Sequence, residues 1–309
     1  MPSNTTPLST LLKATDLLAQ KDPTTLLSSE DRLAILGFPV AHSLSPAIQN
    51  AALKAAPLPY RYIPIEVTPE ELAPTLQQLA RLGFLGLNIT IPHKQAILQH
   101  LDEISDHARF LGAVNTISIR DEKLFGYNTD GPGLVTALKE IWGLLLPAQR
   151  ILILGASGGA GHAIAAQCVL EGCLELSLAS RTPSILESQV KRLSQYSKNT
   201  IPVKAVELTE KGLSSVMPHV DLIVNATPVG MKESDPPLIP PQLFSRDHYC
   251  YDIVYSSATT PLMKSAIRAG AQSANGLSML LYQGSLAFQI WFEQDPPLDA
   301  MRQGLLDAK

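Results

Sequence analysis

Short apolar runs alternate with segments of helical spacing along the chain, and the alternation predicts both fold class and domain organisation. In the first half, four runs are expected to form strands: residues 33–38, 60–67, 84–91 and 114–119. Residues 46–56 and 69–82 carry helix-like apolar spacing, and we expect Ser45 to cap the first of these helices with Pro46 at its first position. Alternating strands and helices favour an α/β protein with largely parallel sheets.

The pattern restarts at residue 150 with RILILGASGGAGHAIAAQCVLEG. This segment predicts a buried strand, a glycine-rich turn and a helix of small residues, the opening of a dinucleotide-binding βαβ unit. Further strands are expected at 174–180, 220–228 and 249–255, and a long apolar helix at 276–292. The domain boundary is therefore expected near residues 131–149.

Composition narrows the possible partners. The 309 residues are 45% hydrophobic and 17% charged, an ordinary globular profile, and the formal net charge is −4. No basic field is present to favour nucleic acid or an acidic membrane. No apolar run is long enough to cross a bilayer. The first thirty or so residues lack the features of a signal peptide, and Asp16 and Asp22 argue against a transit peptide, so we expect a cytoplasmic protein.

The chain has three cysteines, Cys168, Cys173 and Cys250. Their number is odd and their spacing does not match a metal site. Reduced thiols in a cytoplasmic core are therefore expected, with no disulfide and no metal.

The glycine-rich turn runs through Gly155, Ala156, Ser157, Gly158 and Gly159 and ends at residue 161. Glycines there let backbone N–H groups approach a pyrophosphate at the helix N-terminus. Ser157 stands where the G-x-G-x-x-G pattern has its second glycine, so the match is incomplete. The alternative is a plain turn that packs a helix on a sheet.

After the next predicted strand come Ser180, Arg181 and Thr182. Enzymes that prefer NAD usually place an acidic residue here, whereas an arginine suits the 2′-phosphate of NADP. A solvated arginine at a helix start is the alternative.

Polar residues of the first half mark a second candidate site. Ser43 and Ser45 lie at a strand-to-helix junction that can present two hydroxyls to a small anion, although turn and capping roles explain them equally well. Asn88 and Thr90 share one face of a predicted strand, and Lys94 follows in the first turn of a helix. A surface lysine is the alternative for Lys94.

Two more polar residues come later in the same half. Asp130, in GYNTDG, is the candidate acidic partner of Lys94, and an N-cap on the following helix is its alternative role. Asn115 enters a predicted strand, which requires partners for its amide.

These motifs occur in one order that resembles the shikimate dehydrogenase family, which includes quinate dehydrogenases, along nearly the whole chain from about Leu33. The segments that carry the resemblance are GFPVAHSLSP, GLNITIPHK, GAVNTI, GYNTDG, the glycine turn, SRT, VNATPVGM, YDIVY, TPL and NGLSMLLYQG.

The resemblance implies a role for each matching residue. Lys94 and Asp130 are the implied catalytic pair. The implied substrate-binding residues are Ser43 and Ser45 for a carboxylate, Asn88, Thr90, Asn115 and Gln283 for ring hydroxyls, and Tyr255 in the pocket wall. The implied cofactor-binding residues are Gly155, Ala156, Ser157, Gly158, Gly159, Ser180, Arg181, Thr182, Thr227 and Gly276.

The resemblance also implies two domains with a deep cleft between them. An N-terminal extension at 1–31 precedes an α/β substrate-binding domain at 32–132, and a Rossmann-type NADP-binding domain follows at 133–275. Helices in 276–309 are expected to pack back on the substrate-binding domain.

Two departures from the family pattern concern the cofactor. The glycine turn is one residue longer than usual. At the second departure, Ser180 stands where the family has an asparagine, and Ile185 where it has a second basic residue after Arg181. NADP is the expected cofactor, with NAD as the alternative.

The implied activity is reversible NADPH-dependent reduction of 3-dehydroshikimate to shikimate in chorismate and aromatic amino acid biosynthesis, by a monomer or homodimer. A quinate or dual quinate/shikimate dehydrogenase is the closest alternative. A non-catalytic metabolite-sensing relative is a further one, disfavoured because Lys94 and Asp130 are both present.

Overall fold

The computed structural model describes residues 11–308. The first ten residues of the expected extension lie outside the described part. The strands are β1 Leu12–Lys13, β2 Asp31–Gly37, β3 Arg61–Glu66, β4 Gly86–Ile89, β5 Glu103–Ile104, β6 Thr116–Arg120, β7 Lys123–Tyr127, β8 Arg150–Leu154, β9 Glu175–Ser180, β10 Val203–Glu207, β11 Leu222–Asn225, β12 Tyr249–Asp252 and β13 Gln272–Asn275.

The helices follow the same alternation. They are α1 Ala14–Ala19, α2 Ser45–Ala55, α3 Leu72–Arg81, α4 His93–Ala96, α5 Asp106–Leu111, α6 Asp130–Trp142, α7 Gly159–Leu170, α8 Glu187–Tyr196, α9 Glu210–Val216, α10 Pro261–Arg268, α11 Leu277–Phe292 and α12 Leu298–Asp307. Short 3₁₀ segments occupy Pro23–Leu26, Pro69–Glu71, Ile97–His100, Leu146–Ala148, Pro183–Leu186, Met217–His219 and Pro241–Leu243.

The chain forms two compact units. The first contains the described residues up to Ala108, Val114–Thr129 and the chain from Gly284 onward. The second contains Arg109–Ala113 and Asp130–Gln283. Apart from Arg109–Ala113, the chain leaves the first unit at the start of α6 and re-enters it within α11.

The first unit is built on a seven-stranded sheet in the order β1-β3-β2-β4-β6-β7-β5. The interior strand β2 is almost wholly buried, which explains why residues 33–36 are continuously apolar instead of alternating. Strands β3, β2 and β4 are parallel, whereas β6 is antiparallel to both β4 and β7. Asp121 and Glu122, both with positive φ, form the tight turn of the β6–β7 hairpin.

The segment before β2 belongs to this core. Strand β1 extends the sheet by pairing Leu12 with Ile65 of β3, and α1 packs against α3. Ala14 and Leu17 are fully buried. The sequence analysis assigned this segment to an N-terminal extension before the substrate-binding domain, whereas in the structure it forms one edge of the sheet.

The second unit is a six-stranded, all-parallel sheet in the order β10-β9-β8-β11-β12-β13. Counted from β8, this is the doubly wound 3-2-1-4-5-6 order of dinucleotide-binding domains. Successive side chains of β8 enter opposite cores: Ile151 and Ile153 pack on one face, Leu152 and Leu154 on the other. The predicted α/β class and Rossmann-type sheet are confirmed.

Residues 11–308 contain neither a membrane-spanning helix nor a metal cluster. No helix in this range combines the length and apolar character that a bilayer crossing requires. No group of three or more histidine, cysteine or carboxylate side chains in the same range is arranged to hold a metal ion.

The three cysteines are free and buried. Burial raises the pKa of Cys168 and Cys250, and that of Cys173 to about 12, so all three are unreactive thiols at neutral pH.

Candidate functional site

The first candidate region lies at the carboxyl edge of the first sheet, where parallel strands β2 and β4 end. The loops that follow these strands lie side by side: the N–H of Phe38 donates to the carbonyl of Ile91 at 2.9 Å. Gly37 is required there, because a Cβ at this position would lie 2.3 Å from the methyl group of Thr90. Carboxyl edges of parallel sheets are the usual place for ligands in α/β proteins.

Ser43 and Ser45 follow β2 in this region. Helix α2 begins at Ser45 with Leu44 as its N-cap, and no side chain caps it. The expectation that Ser45 caps the helix and Pro46 begins it is therefore wrong. The physical reason is a local turn, in which the Ser43 hydroxyl oxygen accepts from the Ser45 N–H at 3.2 Å. The Ser43 hydroxyl hydrogen remains available as a donor.

A buried polar network joins Asn88, within β4, to Asn115 and Thr116 at the start of β6. The Asn88 side-chain amide donates to the Asn115 carbonyl and to the Thr116 hydroxyl, both at 3.1 Å. The Asn115 amide donates to the Thr129 hydroxyl at 2.8 Å, and its oxygen accepts from the Thr129 N–H at 2.7 Å. All four side chains are buried. The structure thus brings Asn88 and Asn115 together and fixes both amides.

Lys94 lies on the short helix α4, close to this network along the chain. Its carbonyl accepts from the Val114 N–H at 2.9 Å, which ties α4 to the chain just before Asn115. The preceding residue, His93, is buried, and its Nε2 lies 2.7 Å from the Val67 carbonyl oxygen. Burial lowers the pKa of His93, so the ring is neutral and acts as a structural anchor for α4.

Ser43, Ser45, Asn88, Thr90, Lys94 and Asn115 all belong to the first unit. Asp130 belongs to the second unit, where it is the buried first residue of α6. Tyr255 and Gln283 also belong to the second unit. Burial raises the pKa of Tyr255. The Gln283 amide donates to the Leu280 carbonyl at 2.9 Å.

The second candidate region is the glycine turn between β8 and α7. Gly155 has a φ of +79°, and a Cβ there would lie 2.5 Å from the Thr227 methyl carbon. At Gly161 a Cβ would lie 2.3 Å from the Gly155 carbonyl oxygen, so only glycine allows this close packing of helix on strand. Gly158, by contrast, meets only the Gly155 carbonyl oxygen, at 3.6 Å, and leaves room for a ligand.

Helix α7 has twelve residues and begins at Gly159 with Gly158 as N-cap, and no side chain caps it. Its first backbone N–H groups therefore keep their capacity to bind an anion. This arrangement fits the pyrophosphate of a dinucleotide.

Strand β9 ends at Ser180, and the exposed Arg181 follows. The Ser180 hydroxyl oxygen accepts from the Thr182 N–H at 3.3 Å, which shapes the turn around Arg181. No acidic residue occupies these three positions, and Ile185 is 54% exposed. The donor set therefore fits a 2′-phosphate better than a free ribose hydroxyl pair.

A buried carboxylate lies at the carboxyl edge of the second sheet. Asp252, at the end of β12, accepts from the Thr260 hydroxyl at 2.6 Å and from the Asn225 amide at 2.8 Å. Asn225 in turn accepts from the N–H and the hydroxyl of Thr227, at 2.9 and 2.8 Å. Burial raises the pKa of Asp252, and the hydrogen bonds oppose that rise. Thr227 is thereby fixed beside Gly155.

Gly276 precedes α11 in the same unit. A Cβ at this residue would lie 2.1 Å from the Ile253 carbonyl oxygen, so its glycine is required by packing.

Sequence reasoning did not single out Tyr62, Thr116, Thr129, Asn225, Asp252 or Thr260. The motifs that carry the family resemblance contain all of them except Tyr62, and the available signal was a polar residue at a strand end within such a motif.

Two family models match the chain, and both describe shikimate dehydrogenase domains. Residues 35–117 match the family model of the shikimate dehydrogenase substrate binding domain, and residues 276–306 that of the shikimate 5′-dehydrogenase C-terminal domain. The shikimate dehydrogenase (NADP(+)) of Methanopyrus kandleri is 39% identical over 89% of this chain and 94% of its own length. That of Geobacter metallireducens is 41% identical over 89% of this chain and 96% of its own length.

A solved structure agrees with these relatives. The crystal structure of shikimate 5-dehydrogenase from Thermus thermophilus in complex with NADP(H) and shikimate matches with a TM-score of 0.79 at 35% identity, covering 90% of this chain and 100% of that one. The chain belongs to the shikimate dehydrogenase family.

Proposed function

We propose that this protein is an NADP-dependent oxidoreductase that reversibly reduces 3-dehydroshikimate to shikimate, a step of chorismate and aromatic amino acid biosynthesis. The observation that carries the proposal is the carboxyl edge of the first sheet. There a serine pair follows β2, the fixed amide of Asn88 lies within the neighbouring parallel strand β4, and Lys94 on α4 follows β4. Relatives named as NADP-dependent shikimate dehydrogenases support it over nearly the whole chain.

The proposed substrate site combines one anion position with several neutral groups. Ser43 and Ser45 bind the carboxylate, and the free hydroxyl hydrogen of Ser43 suits a charge-assisted hydrogen bond. Thr90, Asn88 and Asn115 hold ring hydroxyls. Tyr255 and Gln283 complete the proposed set of substrate contacts. Neutral donors and acceptors suit hydroxyls, because they orient a ring without a competing charge.

Lys94 and Asp130 are the proposed catalytic pair. NADPH supplies the hydride when bound. As the ketone is reduced, negative charge develops on its oxygen, and the Lys94 ammonium stabilises that charge and donates the proton that completes the hydroxyl group. In the reverse direction the neutral amine of Lys94 accepts the hydroxyl proton. No metal is required for this chemistry.

The proposed cofactor site is the carboxyl edge of the second sheet. The glycine turn at Gly155, Ala156, Ser157, Gly158 and Gly159 receives the pyrophosphate through backbone N–H groups. The turn at Ser180, Arg181 and Thr182 holds the 2′-phosphate. Thr227 and Gly276 complete the proposed contacts. NADP is the favoured cofactor. NAD is the alternative, because only Arg181 is proposed to bind the 2′-phosphate and the second basic residue of the family pattern is missing.

We also propose a role for each region of the chain: 32–132 as the substrate-binding domain, with the helices of 276–309 packing on it, and 133–275 as the NADP-binding domain. The free thiols suit the cytoplasm. Shikimate and 3-dehydroshikimate are the proposed small-molecule partners, and the protein acts as a monomer or homodimer.

The direct test is NADPH consumption by the purified chain after addition of 3-dehydroshikimate, with the product identified by mass spectrometry. Shikimate formed in equal amount to the NADPH consumed is the expected result. A chain that binds shikimate without turnover would instead be the metabolite-sensing relative.

A further inference from the structure

Tyr62 is held in place from two sides. Its backbone N–H donates to the Asn50 side-chain oxygen at 2.8 Å, and its carbonyl accepts from the Asn50 amide at 2.9 Å. Its ring packs against Trp291, with ring centroids 6.0 Å apart. Trp291 occupies the space above Gly86, where a Cβ would lie 2.2 Å from the indole nitrogen. This packing leaves Tyr62 only 1% exposed.

The Tyr62 hydroxyl reaches a residue two strands away. Strand β2 lies between β3 and β4 in the sheet, and Leu33 of β2 is the register partner of both Tyr62 and Gly86. The tyrosine ring extends across β2 towards β4, and beside it the Trp291 indole occupies the space that a side chain at Gly86 would need. Its hydroxyl donates to the Asn88 side-chain oxygen at 2.8 Å.

This hydrogen bond completes the set that fixes the Asn88 amide. Both amide hydrogens are already donated, to the Asn115 carbonyl and the Thr116 hydroxyl. The Asn88 oxygen accepts from Tyr62 and, among the described residues, keeps one lone pair for another donor. The Asn88 side chain can therefore bind a ligand hydroxyl only by accepting its hydrogen bond at the amide oxygen.

We propose that Tyr62 is a positioning residue of the substrate site, holding the Asn88 amide so that its oxygen accepts a hydrogen bond from a ring hydroxyl of the substrate. This inference rests on the proposed function, in which Asn88 contacts the substrate ring. Tyr62 acts through Asn88 and takes no part in proton or hydride transfer.

The test compares steady-state kinetics of the full chain with those of Tyr62→Phe, which removes the hydroxyl and keeps the ring. We expect KM for shikimate to rise about three- to tenfold, the range for one net hydrogen bond. The expected KM for NADP, kcat and melting temperature stay close to wild type. Tyr60→Phe is the matched control, because Tyr60 lies two residues earlier and stacks on Phe292, a contact that survives loss of the hydroxyl.

A double-mutant cycle with Asn88→Ala shows whether Tyr62 acts through Asn88. In the Asn88→Ala background, Tyr62→Phe is expected to leave KM for shikimate unchanged. If Asn88→Ala does not fold, Asn88→Ser takes its place in the cycle.

Three results would overturn the proposal: an unchanged KM in Tyr62→Phe, an equal rise in the Asn88 variant, or a parallel rise in KM for NADP with a lowered melting temperature. A wild-type chain inactive on shikimate would refute the proposed function instead, so the two failures are distinguishable.

Discussion

The guanidinium Nη2 of Arg192 lies 2.9 Å from Nε2 of His162, at the first turn of α7. Arginine is always a donor, so Nε2 must be the acceptor and His162 is neutral, with its hydrogen on Nδ1. Arg192 also donates to the Phe110 carbonyl and lies over the Phe110 ring at 5.5 Å. Burial, followed by the charge of Arg192, lowers the pKa of His162 to about 4.

This contact predicts a pH-dependent stability. Because the folded pKa lies below the ordinary 6.5, the contribution of His162 is fully present above pH 6.5 and is lost as the pH falls towards 4. The loss is at most about 3 kcal/mol, reduced by the partial exposure of the ring. In His162→Gln the free energy of unfolding should fall less over this window, as measured by urea titration at each pH.

The control is His219→Gln, since His219 is exposed in the same unit. Equal pH slopes in wild type and His162→Gln would show that His162 does not carry the effect.

Lys94→Ala should fold but lose turnover. A positioned general acid contributes about a hundredfold to ten-thousandfold, so kcat should fall by that amount while KM for shikimate changes little. Lys54→Ala, at an exposed position on α2, is the matched control for loss of a lysine charge. Near-native kcat in Lys94→Ala would remove Lys94 from the mechanism.

Arg181→Asp should shift cofactor preference towards NAD, because a carboxylate repels the 2′-phosphate and accepts from a ribose hydroxyl. The measurement is the ratio of kcat/KM for NADP to that for NAD. Lys191→Asp, on the exposed side of α8, makes the same change of charge and should leave the ratio unchanged. A ratio unaffected by Arg181→Asp would identify Arg181 as a solvated surface residue.

Ser43→Ala should lower kcat/KM for shikimate by about tenfold to a hundredfold, equivalent to roughly 1.5–3 kcal/mol for a hydrogen bond to a charged group. KM for NADP should stay constant. Ser45→Ala is a comparably clean variant, because Ser45 does not cap α2. If a folded Ser43→Ala retains full kcat/KM, the carboxylate contacts another group.

Much of the fold could be predicted, because buried parallel strands appear in the sequence as continuous runs of apolar residues. Residues 33–36 of β2, 151–154 of β8 and 222–224 of β11 are such runs, and the glycine turn after β8 marks the Rossmann unit. Strand β1 could not be predicted, since a two-residue strand carries no periodicity. Strand β7 was not predicted either, because its pairing with β6 depends on the positive-φ turn at Asp121 and Glu122, which contains no glycine.

The candidate site was predictable where one motif holds its residues together, as for Ser43 with Ser45. It was not predictable where contacts cross strands. Tyr62 on β3 contacts Asn88 on β4 across the intervening strand β2. No spacing of residues in the sequence predicts this hydrogen bond between Tyr62 and Asn88. The same holds for Asp252 and Asn225, which become neighbours through the pairing of β12 with β11.

One spectrophotometric assay of the purified chain tests the proposed NADP-dependent shikimate dehydrogenase activity, with two substrates each combined with two cofactors. Shikimate and quinate are each oxidised with NADP and with NAD, and kcat/KM is determined for the four combinations. The highest kcat/KM is expected for shikimate with NADP. A higher value for quinate, or no turnover of shikimate with either cofactor, would contradict the proposed function.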